Sequence, residues 1–160
     1  MMGSRARGPR RGPVRVFVAG TFDGLHYGHV YLLKFARRAG DRWARRFGRL
    51  GVHLSVVVAR DESVRRIKGR LPHHTQRQRR DLLAALRLVD DAFVGYRDNF
   101  VRSVRRARPD LIVLGYDQSK AWEEVLRRSG VDVPVVRCTA FNPTKLKSSM
   151  MRADFVEMKT

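Results

Sequence analysis

Two apolar runs constrain this chain more than any other feature: Val14 to Val18, and the longer series Val52, Leu54, Val56, Val57, Val58 and Ala59. A strand with one wet face alternates apolar and polar residues. A run without alternation marks a strand buried on both faces, the situation of a parallel sheet. The segments between such runs read as helices. Val30, Leu32, Leu33, Phe35 and Ala36 fall at helical spacing, with Arg37 and Arg38 near the end and Gly40 as the stop. Residues 41–51 extend that helix or form a packed connection, 60–70 form a polar post-strand stretch, and Thr75 to Leu88 is amphipathic. Further on, Ala92 to Val94 is a short strand and Phe100 to Ala107 a helix. Asp110 to Leu114 is a strand, and Trp122, Val125 and Leu126 mark a helix stopped by Gly130. Val131 to Val136 is the last strand, placed at the sheet edge by Pro134, and Ser148 to Met158 a terminal helix. The pattern predicts an α/β fold: one Rossmann-like, doubly wound domain with a five-stranded parallel sheet and helices on both faces.

In such a sheet, ligands bind beyond the carboxyl ends of the strands. The post-strand segments are 20–29, 60–70, 95–98, 115–120 and 137–149, and all are expected to crowd one edge. The first carries most of the chemistry. In Gly20-Thr21-Phe22-Asp23-Gly24-Leu25-His26-Tyr27-Gly28-His29, small residues and two histidines sit where a strand turns into a helix. Helix-start amides and the helix dipole favour an anion there, and His26 and His29, three apart, face the same side. The other segments offer Lys68 and Arg70, then Asp117, then Arg137, Thr139 and Ser148. One cleft follows, with cations for phosphates and a carboxylate for a ribose or base.

Composition sets the outer bounds. A chain of 160 residues with an apolar share of 43% fits one domain with a real core. No apolar run approaches the ~20 residues of a membrane span, and the start lacks the apolar core of a secretory signal, so a cytoplasmic protein without a membrane partner is expected. Cys138 is alone and reads as a packed thiol. The net charge of +19 favours phosphorylated or polyanionic partners. Its arginine pairs, among them 37–38, 65–66 and 127–128, read as solvated helix faces. Residues 1–13 read as a disordered basic arm ahead of a domain spanning 14–160.

Gly20-Thr21-Phe22-Asp23 followed by His26-Tyr27-Gly28-His29 resembles the signature of the cytidylyltransferase-like nucleotidyltransferases. The likeness runs from about Val14 to about Met151. Ala59-Arg60-Asp61, Lys68-Gly69-Arg70 with Pro72, the arginine at 79 and Gly115-Tyr116-Asp117-Gln118 look most like the archaeal FAD synthases. The resemblance implies joining the nucleoside monophosphate of an NTP to a phosphate acceptor with release of pyrophosphate, foremost ATP and FMN giving FAD. It implies Mg²⁺ carried with ATP, a flavin as substrate or product, and a homodimer. Carried over by residue, Thr21 and Phe22 supply amides to the phosphates, and His26 and His29 hydrogen-bond them, with His29 nearest the α-phosphoryl. Lys68 neutralises the entering or transferred phosphate, Arg79 and Arg137 are possible phosphate contacts, and Asp117 meets the nucleoside. Ser148 and Ser149 hold the leaving phosphates. No residue is assigned to bind a metal directly.

This chain departs from the family pattern at Lys145-Leu146-Lys147-Ser148-Ser149, where a Ser/Thr run is usual, and in the length of 41–51. Asp23 is expected to fix its turn through neighbouring amides. His73 and His74 are expected to face solvent, His53 to be structural, and the Trp and Phe residues to be core or lid. Two other readings stay open. One keeps the chemistry with CTP and glycerol-3-phosphate or a similar phospho-alcohol. The other is a basic nucleic-acid-binding protein on the same scaffold.

Overall fold

A computed structural model describes residues 12–97 and 99–141. The expected arm (1–13, all but its last two residues), the terminal helix, Ser148 and Ser149 lie outside the described residues. Five strands run parallel in the order β3-β2-β1-β4-β5: β1 Val14–Gly20, β2 Val52–Val58, β3 Asp91–Val94, β4 Leu111–Leu114 and β5 Val135–Arg137. Helices α1 (Tyr27–Arg46), α2 (Asp61–Lys68), α3 (Gln76–Ala84), α4 (Phe100–Ala107) and α5 (Ala121–Arg128) connect them.

Strand residues alternate between two separate cores, which explains why their sequence does not alternate in polarity. Val14, Val16 and Val18 of β1 pack with Leu54, Val56 and Val58 of β2 beneath Leu33 and Ala36 of α1 and Leu83 of α3. On the opposite face, Phe17 and Val57 pack with Ile112 and Leu114 of β4, Val104 of α4 and Leu126 of α5. The doubly wound architecture is thus observed directly.

Gly40 does not stop the first helix. It lies in the middle of a twenty-residue α1, and a Cβ there would come within 2.8 Å of methyl groups of Val16 and Val52. The glycine is a contact point where the helix settles on β1 and β2, and the packing outweighs its weak helix propensity of about 1 kcal/mol. Residues 41–46 continue the helix. The polar stretch after β2 is also helical: α2 has Val64 as its one buried residue and ends at Gly69, which is left-handed at φ 73°. Lys68 therefore sits on a last helical turn rather than in a loop. The final strand is shorter than expected; Val131 and Val133 pack against the second core ahead of it. β5 is the sheet edge, as Pro134 implied, and the Pro134 carbonyl accepts from the Ile112 amide.

Arg37, expected on a solvated face, is a staple between strand starts, and Arg49 is another. Arg37 donates to the carbonyls of Leu88 (2.8 Å) and Val52 (2.8 Å) and to Asp90 (2.6 Å), and Arg49 pairs with Asp110 at 2.7 Å. These lie at the amino edge of the sheet, away from the site.

Candidate functional site

The sheet order places the topological switch between β1 and β4, because the chain winds outward from β1 to β3 and then returns to the other side of β1. The segment after β1 enters this crevice. Phe22 turns there with φ 53° and buries its ring, which comes so near Gly20 that a Cβ on Gly20 would lie 2.9 Å from it. A positive φ is uncommon for a non-glycine residue. Here the buried ring holds it in place.

His26 is the N-cap of α1, and the two histidines cap the helix together. The Gly28 amide donates to Nδ1 of His26 at 3.1 Å, and the His26 amide donates to Nδ1 of His29 at 3.3 Å. Each Nδ1 thereby acts as acceptor, and these bonds assign the proton of the neutral ring to Nε2. The rings stack with centroids 3.9 Å apart and 29° between planes. Phe22 backs His29 at 5.3 Å. This shifts the chemistry from what helix geometry alone suggests. The amides of Gly28 and His29 already have partners within the cap, the latter bonding the His26 carbonyl at 3.0 Å. The donors that the motif adds are two imidazole N–H groups.

Both histidines are held neutral. Burial lowers the pKa of His26. Burial chiefly, with the charges of His26 and Lys68 adding to it and Asp23 opposing, lowers that of His29 to about 3. The Lys68 ammonium, although exposed, is within electrostatic reach of His29. Lys68, His26 and His29 thus form one electropositive group whose imidazoles donate without carrying charge.

The cradle is tied down from both sides. Asp23 ties the turn to a distant segment: its two carboxylate oxygens accept from the amides of His73 (2.9 Å) and His74 (3.0 Å), some fifty residues on. Of the two histidines expected to face solvent, His73 is exposed and His74 is only half so, its ring 3.4 Å from Asp23. His53 lies within β2. Arg79 is fully buried and makes no approach to solvent. Its guanidinium donates to the carbonyls of Thr21, His74 (3.0 Å) and Ala59 (2.8 Å) and pairs with Asp61 at 2.6 Å. A direct phosphate contact by Arg79 is not made available in this conformation: its guanidinium is buried and bonds four acceptors in three segments, at 21, 59–61 and 74. Its place in the sequence carried the signal, because Arg79 and Leu83 share the buried face of α3 at i, i+4.

Across the crevice, Gln118 spans the switch point. Its amide nitrogen donates to the Ala19 carbonyl at the end of β1 (2.6 Å), and its oxygen accepts from Gly115 at the end of β4 (2.9 Å). Arg137 holds the same turn, donating to the carbonyls of Gly115 (3.0 Å) and Gln118 (2.7 Å) and to Glu123. It acts as a brace, like Arg79. Asp117, between these fixed points, is exposed. Gln118 was missed as a site residue because its role depends on a contact across 99 positions. Cys138 is buried with a raised pKa, the effect of desolvation. It is the packed thiol that the sequence suggested.

Among the described residues, no helix is long and apolar enough to cross a membrane, and no three or more His, Cys, Asp or Glu side chains cluster as a metal site.

Comparison with known proteins converges on one family. The model of the cytidylyltransferase-like family matches residues 17–154. An FAD synthase of Aciduliprofundum boonei is 40% identical over 139 residues, 85% of either chain. An FAD synthase of Thermoplasma volcanium is 32% identical over 91% of this chain and 96% of its own. The crystal structure of a protein described as a lipopolysaccharide core biosynthesis protein, also from Thermoplasma volcanium, superimposes with a TM-score of 0.69 at 34% identity, covering 82% of this chain and 100% of that one.

Proposed function

The chain belongs to the cytidylyltransferase-like family, and we propose that it is an FAD synthase. In the proposed reaction a phosphate oxygen of FMN attacks the α-phosphorus of ATP. The new P–O–P linkage of FAD forms as the bond to the leaving pyrophosphate breaks. The observation that carries this reading is the pair of stacked, neutral imidazoles at the start of α1, each with Nδ1 engaged and Nε2–H available, beside the ammonium of Lys68. Phosphate is already a nucleophile, so no strong general base is needed. The protein's contribution is position and charge.

Within this reading His29 donates to the α-phosphoryl oxygens as charge builds on them, and His26 to the neighbouring phosphate. Lys68 neutralises the entering phosphate, Thr21 and Phe22 line the nucleotide phosphates, and Asp117 takes a hydroxyl or amino group of the nucleoside. Ser148 and Ser149 keep the role implied for them at the leaving phosphates. Arg79 and Arg137 position the loops instead of touching substrate. Imidazole, amide and ammonium donors suit phosphate oxygens rather than a metal, so the fitting arrangement for magnesium is on the triphosphate itself with water completing its shell. We place the reaction in the cytoplasm and expect a homodimer, which light scattering would report.

The test is a matrix of ATP or CTP against FMN or glycerol-3-phosphate, with Mg²⁺, reading pyrophosphate release and the nucleotide product. Rapid release with ATP and FMN, and FAD as product, is expected. A folded sample that makes no FAD overturns the reading, and turnover of CTP with glycerol-3-phosphate would replace it. The internal use of Arg37, Arg49, Arg79 and Arg137 accounts for part of the charge without a nucleic-acid partner.

A further inference from the structure

The two flanks of the cradle differ in what they leave open. On the β4 side the turn is closed by Gln118 and Arg137. On the other side, between α2 and the turn after β3, lies a cleft of about 480 Å³ lined by Glu62, Arg65, Arg66, Gly69 and Arg97. That volume lies within the range of small-molecule sites, about 300–1,000 Å³. It sits at the carboxyl edge of β2 and β3, where Arg60 ties the two strand ends together by donating to the Gly95 carbonyl at 2.9 Å.

Three features point to a planar anionic ligand. The lining holds three arginines, Arg65, Arg66 and Arg97, and one carboxylate, Glu62, which is paired with Arg97 at 3.3 Å. The lining therefore keeps a net positive charge. Guanidinium groups are flat and weakly hydrated, so they stack on aromatic rings and donate in plane to ring carbonyls, which an ammonium does poorly. Gly69 forms part of the wall, with no atom within 4 Å of where its Cβ would be, so the wall is open at that point. Lys68 is the residue immediately before it. Lys68 and the cleft wall thus share the carboxyl-terminal turn of α2.

The geometry points to this cleft as the acceptor subsite, taking the flavin ring of FMN against the guanidinium planes of Arg97 and Arg65 while Lys68 faces its phosphate. The inference rests on the proposed FAD synthase activity and adds the residues that choose the acceptor. A polyol phosphate offers the same charge but no ring, so it gains nothing from guanidinium planes. Acceptor choice is thereby separated from the imidazoles that serve the chemistry.

Steady-state kinetics on the full chain test it, with Arg97→Ala, Arg65→Ala and the charge-preserving Arg97→Lys. Each is expected to raise KM for FMN by ~2- to 5-fold, as loss of an exposed cation–π contact predicts, with KM for ATP and the thermal midpoint unchanged. Riboflavin, which has the ring without the phosphate, provides a second readout as a competitive inhibitor. Arg97→Ala should weaken its inhibition, and Lys68→Ala should not. Wild-type KM for FMN in both alanine variants overturns the inference, as does an equal rise in KM for ATP or full retention by Arg97→Lys. A wild-type protein that makes no FAD overturns the functional reading itself, a result distinct from all of these.

Discussion

Arginine serves opposite purposes at the cradle and at the neighbouring cleft. Arg79 is fully buried, and its guanidinium bonds Thr21, Ala59, His74 and Asp61. Arg97, in the turn after β3, keeps its side chain 74% exposed and pairs loosely with a similarly exposed Glu62. The first fixes backbone geometry; the second is positioned to meet something from solvent. Phosphoryl transfer depends on donors held in place before the substrate arrives, because a small misplacement forfeits much of the rate. Recognition of an acceptor ring tolerates adjustable side chains. On the proposed reading one residue type would then support both catalysis and selection, with burial as the deciding variable.

The comparison is most sharply broken at Arg79. Arg79→Ala leaves Asp61 and three carbonyls without their donor and should cost about 3–5 kcal/mol, the range for removing one partner of a buried ion pair. Urea denaturation would read this, and the same change at Arg97 should leave the midpoint unmoved. A stable Arg79→Ala protein would show that the brace is dispensable.

The next largest effect belongs to the imidazoles. In the proposed reaction His29 donates to the reacting phosphoryl, so His29→Ala should lower kcat by ~10²–10³-fold, the usual loss for a single transition-state donor. KM for FMN should change little, in contrast to the Arg97 variants. The same histidine makes stability depend on pH in a defined direction. The unfolded chain protonates this imidazole near 6.5, while the folded protein holds its pKa down at about 3. The stabilising effect of excluding the proton is complete above about pH 6.5 and is lost as pH falls toward 3. Denaturation midpoints between pH 7.5 and pH 4 should decline in the wild type and decline less in His29→Asn.

Smaller effects test the supports. Gly40→Ala gains about 1 kcal/mol of helix propensity but drives a methyl against Val16 and Val52, an overpacking cost of about 1–3 kcal/mol. A modest net loss of stability is expected, without change in either KM. Gln118→Leu deletes one bridge across the switch point and should cost about 1 kcal/mol. Its kinetic trace should be a few-fold rise in KM for ATP alone. A rise for FMN instead would place the acceptor on the β4 side and reverse the assignment of the two flanks.

Much of this molecule was legible in the chain. The unbroken apolar runs at 14–18 and 52–59 implied a sheet buried on both faces, and two cores on opposite sides of the sheet account for them. The edge position of the last strand followed from Pro134, since proline cannot donate to a ladder. The pair His26 and His29 was readable as a unit from its three-residue spacing at a strand-to-helix transition, although His26 is the N-cap and the two rings are joined by capping bonds. What periodicity could not resolve were the competing uses of one residue type. Gly40 reads as a helix stop, and only the approach of Val16 and Val52 explains why it is a docking point. The polar stretch after β2 carries a single buried residue, Val64, too little to announce a helix.

The distribution of roles among polar side chains required the folded structure. Asp23 reaches amides at 73 and 74, Gln118 reaches Ala19, and Arg79 joins Thr21 and the segment 59–61 to its own helix start. Such bonds arise from the meeting of strand ends, so their partners are set by sheet order and not by spacing along the chain. Burial then separates a structural guanidinium at 79 from an exposed one at 97, and desolvation holds His29 neutral. Motif and strand pattern follow from short-range sterics and hydrophobic periodicity, which sequence encodes locally. Charge state, access to solvent and the division of the carboxyl edge into a braced cradle and an open cleft depend on which distant segments exclude water together.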